Sequence, residues 1–220
     1  MKGSAMQVVD VHGPGDVRLD DVAAPQAGEY DAIIRIEACG ICGTDLAYIR
    51  EGGLPHAPSP MPIGHEAAGT VLAVGQKVNQ INVGQRVLVN PMGSSAVIGN
   101  GGPEGAFTQQ LLVRDAERLL LIVPQEVPSE VAALAEPLAV AQHGVNRSEA
   151  MANSHARLVI IAAYRKPVPL DLSTMLMSEM TIKTSMGYPD GLKNVLESLP
   201  RLTDKLQHFV SHRPSPILPR

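Results

Sequence analysis

The sequence contains little of what marks several large classes of protein. It has only two cysteines, Cys39 and Cys42, which are too few for a disulfide framework. It has no run of Lys and Arg, and its 18 basic and 22 acidic residues give a formal charge of -4, so we expect no nucleic-acid partner. No apolar run approaches the ~20 residues of a membrane span, and the amino terminus lacks a signal-peptide pattern. We therefore expect a soluble, cytoplasmic protein with no membrane partner.

The chain is long and apolar enough to fold around one sizeable core. Of its 220 residues 45% are hydrophobic, which suffices for one core plus a small appendage. Residues 6–121 read as short β-prone runs separated by glycine and proline, a pattern typical of a barrel or sandwich. The clearest of these runs are residues 32–37, 68–74, 85–89 and 107–113.

Helical patterns follow residue 124. Ser129 is a predicted helix cap before the alanine-rich residues 131–135, and a second helical stretch covers residues 137–145. Residues 158–162 form a short apolar run that suits a strand covered on both faces, and residues 191–206 carry apolar residues near helical spacing.

The spacing of Cys39 and Cys42 leaves several chemistries open when it is taken alone. The pair fits a redox dithiol, half of a zinc knuckle or two unrelated thiols. His65 taken alone is an ordinary hydrogen-bonded loop residue, and Glu136 is an ordinary acid at the start of a helix. The neighbouring residues are needed to distinguish these alternatives.

Three motifs occur in order along the chain: CGICGTD at residues 39–45, GHEAAG at residues 64–69 and EPLAV at residues 136–140. Together they resemble the zinc-dependent medium-chain alcohol and polyol dehydrogenases, in particular the sorbitol and threonine dehydrogenase branch. The resemblance spans residues 6–145 and resumes near residue 156. It implies a mainly β, α+β fold, which is a GroES-like, partly open β-barrel with a reduced α/β remnant.

The resemblance also implies one catalytic zinc ion, held by Cys42, His65 and Glu136, with water or substrate in the remaining position. A thiolate, an imidazole and a carboxylate suit a borderline-soft cation, and three protein ligands leave the open position that catalysis requires. Cys39 is expected to be a structural thiol. Residues 90–105 contain no cysteine, so we expect the second, structural zinc of some family members to be absent.

Three further residues take catalytic roles by the same resemblance. Thr44 resembles the family's hydroxyl that accepts a proton from the substrate alcohol and passes it toward solvent. Asp45 would orient His65 through its second ring nitrogen. Glu66 would lie beside the metal or act as an alternate ligand. The implied substrate is a small alcohol, polyol or carbonyl compound.

A nicotinamide dehydrogenase also needs a dinucleotide-binding unit, and this sequence shows none. Such a unit requires a strand, a Gly-x-Gly-x-x-Gly turn, a helix and an acidic residue for the ribose. Only eleven residues separate Val145 from Arg157, whereas two βαβαβ halves need on the order of 100 or more. We therefore predict a GroES-like zinc domain at residues 1–145, a junction with the residual strand of a deleted nucleotide-binding domain at 146–164, and a return segment with a C-terminal helix and tail at 165–220.

Three functions follow as alternatives from these observations. The first is an alcohol or polyol dehydrogenase-like catalytic domain that is unable to transfer hydride alone, because NAD(P) binding is not expected. The second is a non-redox zinc enzyme, namely a hydrolase, hydratase or lyase. The third is a non-catalytic binding or assembly module. Residues 158–163 would lose their parallel-sheet neighbours, which leaves an apolar surface to be covered by another chain or by a rearranged segment, and we expect a homo-oligomer.

Overall fold

The computed structural model describes residues 5–93, 97–148, 157–161, 167–177, 179–188 and 191–211. The strands are β1 (Ala5–Gly13), β2 (Asp16–Ala23), β3 (Ala32–Gly40), β4 (Met61–Pro62), β5 (Glu66–Val74), β6 (Arg86–Val89), β7 (Gln110–Val113), β8 (Leu120–Ile122), β9 (Arg157–Ile160) and β10 (Thr181–Thr184). The helices are α1 (Gly43–Glu51), α2 (Ala116–Leu119), α3 (Ser129–Ala133), α4 (Ala135–Ser148), α5 (Leu172–Met177) and α6 (Gly191–Leu206), and a 3-10 turn follows at Gln207–Phe209.

The chain forms two compact units. The first comprises Met1–Glu136 with Leu196–Arg220, and the second comprises Pro137–Val195. The first unit is built on two antiparallel sheets, with strand orders β2-β1-β4 and β7-β3-β5-β6-β8. Neither sheet closes on itself over the described residues, which confirms the predicted α+β fold with a partly open β architecture.

The pairing of β3 with β5 contains two irregularities. Glu37 is an extra residue on β3 between the pairs Ile36–Gly69 and Ala38–Ala68. Leu72 is an extra residue on β5 at the other end of the pairing. A β-bulge of this kind leaves one residue unpaired and bends the strand locally. Although Glu37 has no partner residue on β5, its carboxylate accepts hydrogen bonds from the side chains of Arg35, Thr70 and Ser129.

The main core lies against the five-stranded sheet. Buried branched side chains from its strands pack together with residues of the adjoining loops, and its largest members include Ile34, Val71, Val87, Val89, Leu111 and Val113. A smaller cluster of Val11, Met61 and Ile63 packs under the three-stranded sheet. Burial of such side chains contributes roughly 1.5–3 kcal/mol each, so these clusters stabilise the frame that holds the loops between strands.

Two sequence predictions in the first unit need correction. The predicted strand at 107–113 is shorter, because Phe107 bonds through its backbone to Val9 and Ile63 before β7 begins at Gln110. Ser129 is not the helix cap. Pro128 occupies that position, and the Ser129 hydroxyl donates a 2.6 Å hydrogen bond to Glu37.

The second unit contains a small parallel sheet. Strand β9 pairs with β10 in parallel, from Arg157–Thr181 to Ile160–Thr184. The expectation that residues 158–163 lose their parallel-sheet neighbours was wrong for residues 158–160, whose backbone groups find partners on β10. The expected double coverage was also wrong, since Leu158 is 39% exposed. Most of the junction at 146–164 lies outside the described residues, as does the tail at 212–220.

The helical predictions in the second half agree with the structure. Helix α4 includes the predicted residues 137–145, and the bounds of α6 match the predicted residues 191–206. None of the helices in the described ranges has both the length and the apolar character needed to cross a membrane.

Candidate metal centre

The register of β3 and β5 brings two distant loops together. Gly40 at the end of β3 lies directly opposite Glu66 at the start of β5. The segment that leaves β3 and the segment that enters β5 are therefore neighbours. Cys42 lies in the first of these segments, where it caps helix α1, and His65 is the last residue before β5.

Three donor side chains converge at this junction. One ligand atom each from Cys42, His65 and Glu66 lies within 4.8 Å of the others. His65 and Glu66 are buried, and Cys42 is half-buried. The set combines a thiolate, an imidazole and a carboxylate, which together suit zinc. These residues therefore form a group able to hold a metal ion, and we call it the donor cluster.

Asp45 connects the two loops by hydrogen bonds behind the donor cluster. Its side chain, which is fully buried, accepts a 2.8 Å hydrogen bond from the Cys42 backbone N–H and a 3.3 Å bond from the Gly64 N–H. Its Oδ1 also lies 3.4 Å from Nδ1 of His65. With Nδ1 facing this carboxylate, Nε2 is the ring nitrogen left for a metal ion.

Thr44 lies beside the thiol. The Sγ of Cys42 is 3.5 Å from the Thr44 hydroxyl oxygen. Cys39 is half-buried against the main core, desolvation raises the pKa of its thiol, and it is outside the donor cluster. The two cysteines of the motif thus occupy different environments.

Contacts between Cys42, His65 and Asp45 shift the pKa values of the thiol and the imidazole in opposite directions. The hydrogen bond with His65 lowers the pKa of Cys42. Burial opposes protonation of His65, but the bonds to Asp45 and Cys42 outweigh it and raise the pKa of the imidazole to about 10. A metal ion must displace this proton to bind.

Two buried carboxyl groups adjoin the imidazole. Burial and repulsion from Glu136 raise the pKa of Glu66 to about 7. Glu136 is buried in the first turn of α4, and its charge also raises the pKa of His65. Glu136 is not among the three side chains of the donor cluster, whereas Glu66 is. The assignment of Glu136 as a ligand remains a prediction.

Two glycines that the sequence analysis did not single out shape the site. A Cβ at Gly40 would collide with Oε2 of Glu66. Gly64 has a φ of 91°, and a Cβ there would lie 2.7 Å from the Phe107 ring. The positive φ is a conformation that favours glycine. Gly40 is important because Glu66 lies opposite it on β5, and the sequence alone does not reveal this pairing.

Substitution of Gly40 by alanine is expected to displace the Glu66 carboxyl group. We expect Gly40→Ala to lower the free energy of unfolding by about 1–3 kcal/mol, because the added methyl group overpacks a filled site. Urea unfolding measures the effect. Gly43→Ala is the matched control, since nothing lies within 4 Å of a Cβ at that position. Equal stability of the two variants would contradict the close contact between Gly40 and Glu66.

The raised pKa of His65 predicts a pH-dependent metal affinity. Because His65 is protonated below pH 10, the apparent zinc affinity should rise about tenfold per pH unit for each proton released between pH 7 and 9. Competition with a chromophoric chelator across this range measures it. An affinity that does not change with pH would contradict the raised pKa of His65.

The raised pKa of His65 also affects the stability of the metal-free protein. The pKa of His65 is raised from 6.5 to about 10, so the folded chain binds this proton more tightly than the unfolded chain. This contribution to the free energy of unfolding is complete below pH 6.5 and is lost as the pH rises through 10.

Comparisons with known proteins agree with this chemistry. Residues 28–125 match the family described as alcohol dehydrogenase GroES-like domain. The (R,R)-butanediol dehydrogenase of Neisseria gonorrhoeae is 32% identical over 202 residues, covering 79% of this chain and 55% of that protein. The sorbitol dehydrogenase of Mus musculus is 41% identical over 92 residues, covering 41% of this chain and 26% of that protein. The chain belongs to the medium-chain alcohol and polyol dehydrogenase family.

Solved structures show the same fold as this family member. The 2R,3R-butanediol dehydrogenase of Bacillus subtilis superposes with a TM-score of 0.76 at 20% identity, over 94% of this chain and 96% of that chain. An oxidoreductase of unknown specificity from Escherichia coli gives a TM-score of 0.80 at 16% identity, over 95% of this chain and 91% of that chain. In sequence, the chain spans about half the length of the Neisseria butanediol dehydrogenase and about a quarter of the mouse sorbitol dehydrogenase.

Proposed function

We propose that this chain is the zinc-binding catalytic domain of an alcohol or polyol dehydrogenase. The observation that carries the proposal is the convergence of Cys42, His65 and Glu66 at the junction of β3 and β5, with Oδ1 of Asp45 3.4 Å from Nδ1 of the imidazole. Cys42 and His65 would hold zinc together with one carboxylate, supplied by Glu136 or by Glu66. When bound, zinc supplies Lewis-acid polarisation of an alcohol or carbonyl oxygen and so lowers the pKa of the alcohol.

The protein's own residues would position the substrate and move its proton. Thr44, beside the Cys42 thiol, is the hydroxyl proposed to accept the proton of the substrate alcohol and pass it to solvent. Asp45 keeps His65 in one orientation and one tautomer through the contact at Nδ1. By analogy with the butanediol and sorbitol dehydrogenases that match the chain, the substrate class would be small diols and polyols.

Hydride transfer would need a nucleotide that this chain is not proposed to bind alone. Its sequence has no Gly-x-Gly-x-x-Gly turn between a strand and a helix. We therefore propose that the chain carries the zinc chemistry of the family without completing the redox reaction.

Two measurements on the purified chain test this function. Elemental analysis should find about one zinc per chain, and titration with NADH, followed by its fluorescence, should show no saturable binding. Absence of zinc after reconstitution would refute the catalytic-domain proposal. Micromolar NADH binding, with oxidation of 2,3-butanediol or sorbitol by NAD, would refute only the proposed redox inactivity.

The third ligand is tested separately by Glu66→Gln and Glu136→Gln. The carboxylate whose replacement weakens zinc binding more is the ligand. Both substitutions preserve side-chain size, so the comparison isolates the loss of charge.

A further inference from the structure

A cavity of about 230 Å³ lies in the first unit beside the three-stranded sheet. Its walls are mostly apolar, with side chains from β1, β2 and the segment that leads into β7, among them Met6, Val8, Val22, Phe107 and Leu111. No member of the donor cluster lines it. The cavity is therefore a separate feature from the candidate metal centre.

One polar side chain in the cavity wall lacks a partner. Asp10 is only 7% exposed, and its Oδ1 has no hydrogen-bond donor among the described residues. Residues alternate between the two faces of a strand, so Asp10 shares the face of Met6 and Val8, and all three line the cavity. A buried carboxyl oxygen without a donor is unfavourable, because it has lost its hydrogen bonds to water, so such a group normally has a ligand or partner.

The charges around the cavity favour a cationic ligand. The described residues that line it include two acids, Asp10 and Glu104, and no basic residue. Glu104 is paired with Arg114 at 2.8 Å, which leaves Asp10 as the unpaired acid. Burial raises the pKa of Asp10 most, Asp20 raises it further, and His12, which is paired with Asp20 at 2.5 Å, lowers it in part. A positively charged donor would supply the missing hydrogen bond at Oδ1 of Asp10 and offset the repulsion from Asp20.

We propose that this cavity binds a small primary amine in its ammonium form, with the apolar part among Met6, Val8 and Val22 and the ammonium group donating to Asp10. The size fits, because an apolar cavity of about 150 Å³ accommodates benzene. The space of about 230 Å³ therefore holds a benzene-sized group with one aminomethyl substituent. The ligand class is a compact apolar group that carries a single –CH2NH3⁺.

Benzylamine and its neutral isostere, benzyl alcohol, test the proposal in the full chain. Benzylamine should shift the methyl resonances of Val8, Val22 and Leu111 saturably, with a Kd in the millimolar range or below. It should bind at least tenfold more tightly than benzyl alcohol, since a charge-assisted hydrogen bond is worth at least that factor. Equal affinities of the two compounds at these methyl groups, or no shift with benzylamine up to about 50 mM, would overturn the proposal.

Two substitutions locate the recognition group. Asp10→Asn should weaken benzylamine binding at least tenfold and leave benzyl alcohol unchanged. Asp21→Asn is the matched control, because Asp21 is an exposed carboxylate whose partner Gln7 lies on the opposite face of β1. Unchanged benzylamine binding in Asp10→Asn would overturn the assignment. If Asp10→Asn does not fold, the affinity ratio of the two compounds in the unsubstituted chain decides the question.

Discussion

Replacement of Cys42 by serine is expected to reduce the zinc affinity of the chain by on the order of 10²–10³-fold. Structural zinc sites with four ligands bind with apparent free energies of about 10–16 kcal/mol, which is roughly 2.5–4 kcal/mol for each ligand. A serine hydroxyl does not ionise near neutral pH, so the substitution removes the thiolate from the donor cluster. Competition with a chromophoric chelator gives the affinity directly.

Cys39→Ser is the matched control for this prediction. Both positions belong to one Cys-x-x-Cys motif, but Cys39 is outside the donor cluster, and its thiol faces the Gly40 carbonyl oxygen at 3.7 Å. A buried hydroxyl at residue 39 costs some stability, whereas zinc affinity should change by less than about threefold. Equal losses of affinity in the two variants would overturn the assignment of Cys42 as the ligand.

Asp45→Asn is expected to weaken zinc binding by about 10–100-fold without removing any ligand. Carboxylates that orient a metal-binding histidine have effects of this size, because they fix the tautomer and raise the basicity of the ring. The substitution should also lower the pKa of His65, since the bond to Asp45 is the largest contribution that raises it. The buried contacts with Cys42 and Gly64 weaken as well, so a loss of roughly 1–3 kcal/mol in the free energy of unfolding is expected.

Two measurements separate the roles of Asp45. The pKa of His65 is followed by the NMR shifts of its ring carbons in the metal-free chain, and zinc affinity is measured with the chelator. Asp21→Asn changes an exposed carboxylate to the same amide and should alter neither quantity. An unchanged pKa for His65 in Asp45→Asn would show that the 3.4 Å contact with Nδ1 does not set its protonation.

The sequence was sufficient to predict the fold class and most of the donor cluster. The glycine-punctuated β-prone runs correspond to β3, β5, β6 and β7, and the family motifs place Cys42 and His65 in the loops that flank β3 and β5. Motifs identify these residues because their chemistry depends on residue type and order along the chain. Their convergence, however, depends on strand register.

Features that depend on tertiary packing could not be predicted. The resemblance placed Glu66 beside the metal or as an alternate ligand, but its convergence with Cys42 and His65 follows from its pairing with Gly40, and no local pattern distinguishes it from Glu136 as the metal ligand. Ser129 has the composition of a helix cap, yet its hydroxyl bonds to Glu37 on a strand that is distant in the sequence. Asp10 lies in an ordinary β-prone run, and only the assembled walls show that its carboxyl group is buried.

The unpaired position of Glu37 determines where β3 tolerates a change of length. Loss of Glu37 leaves the pairs Ile36–Gly69 and Ala38–Ala68 in place, because this residue has no partner on β5. Side chains alternate along a strand, so removal of a paired residue between Ala38 and Gly40 would turn the residues that follow onto the opposite surface. Cys42 would then leave the strand on the side away from His65. Homologous chains that differ in length should therefore vary at the bulge or at the tight turn between β1 and β2, and keep the number of residues between Ala38 and Cys42 constant.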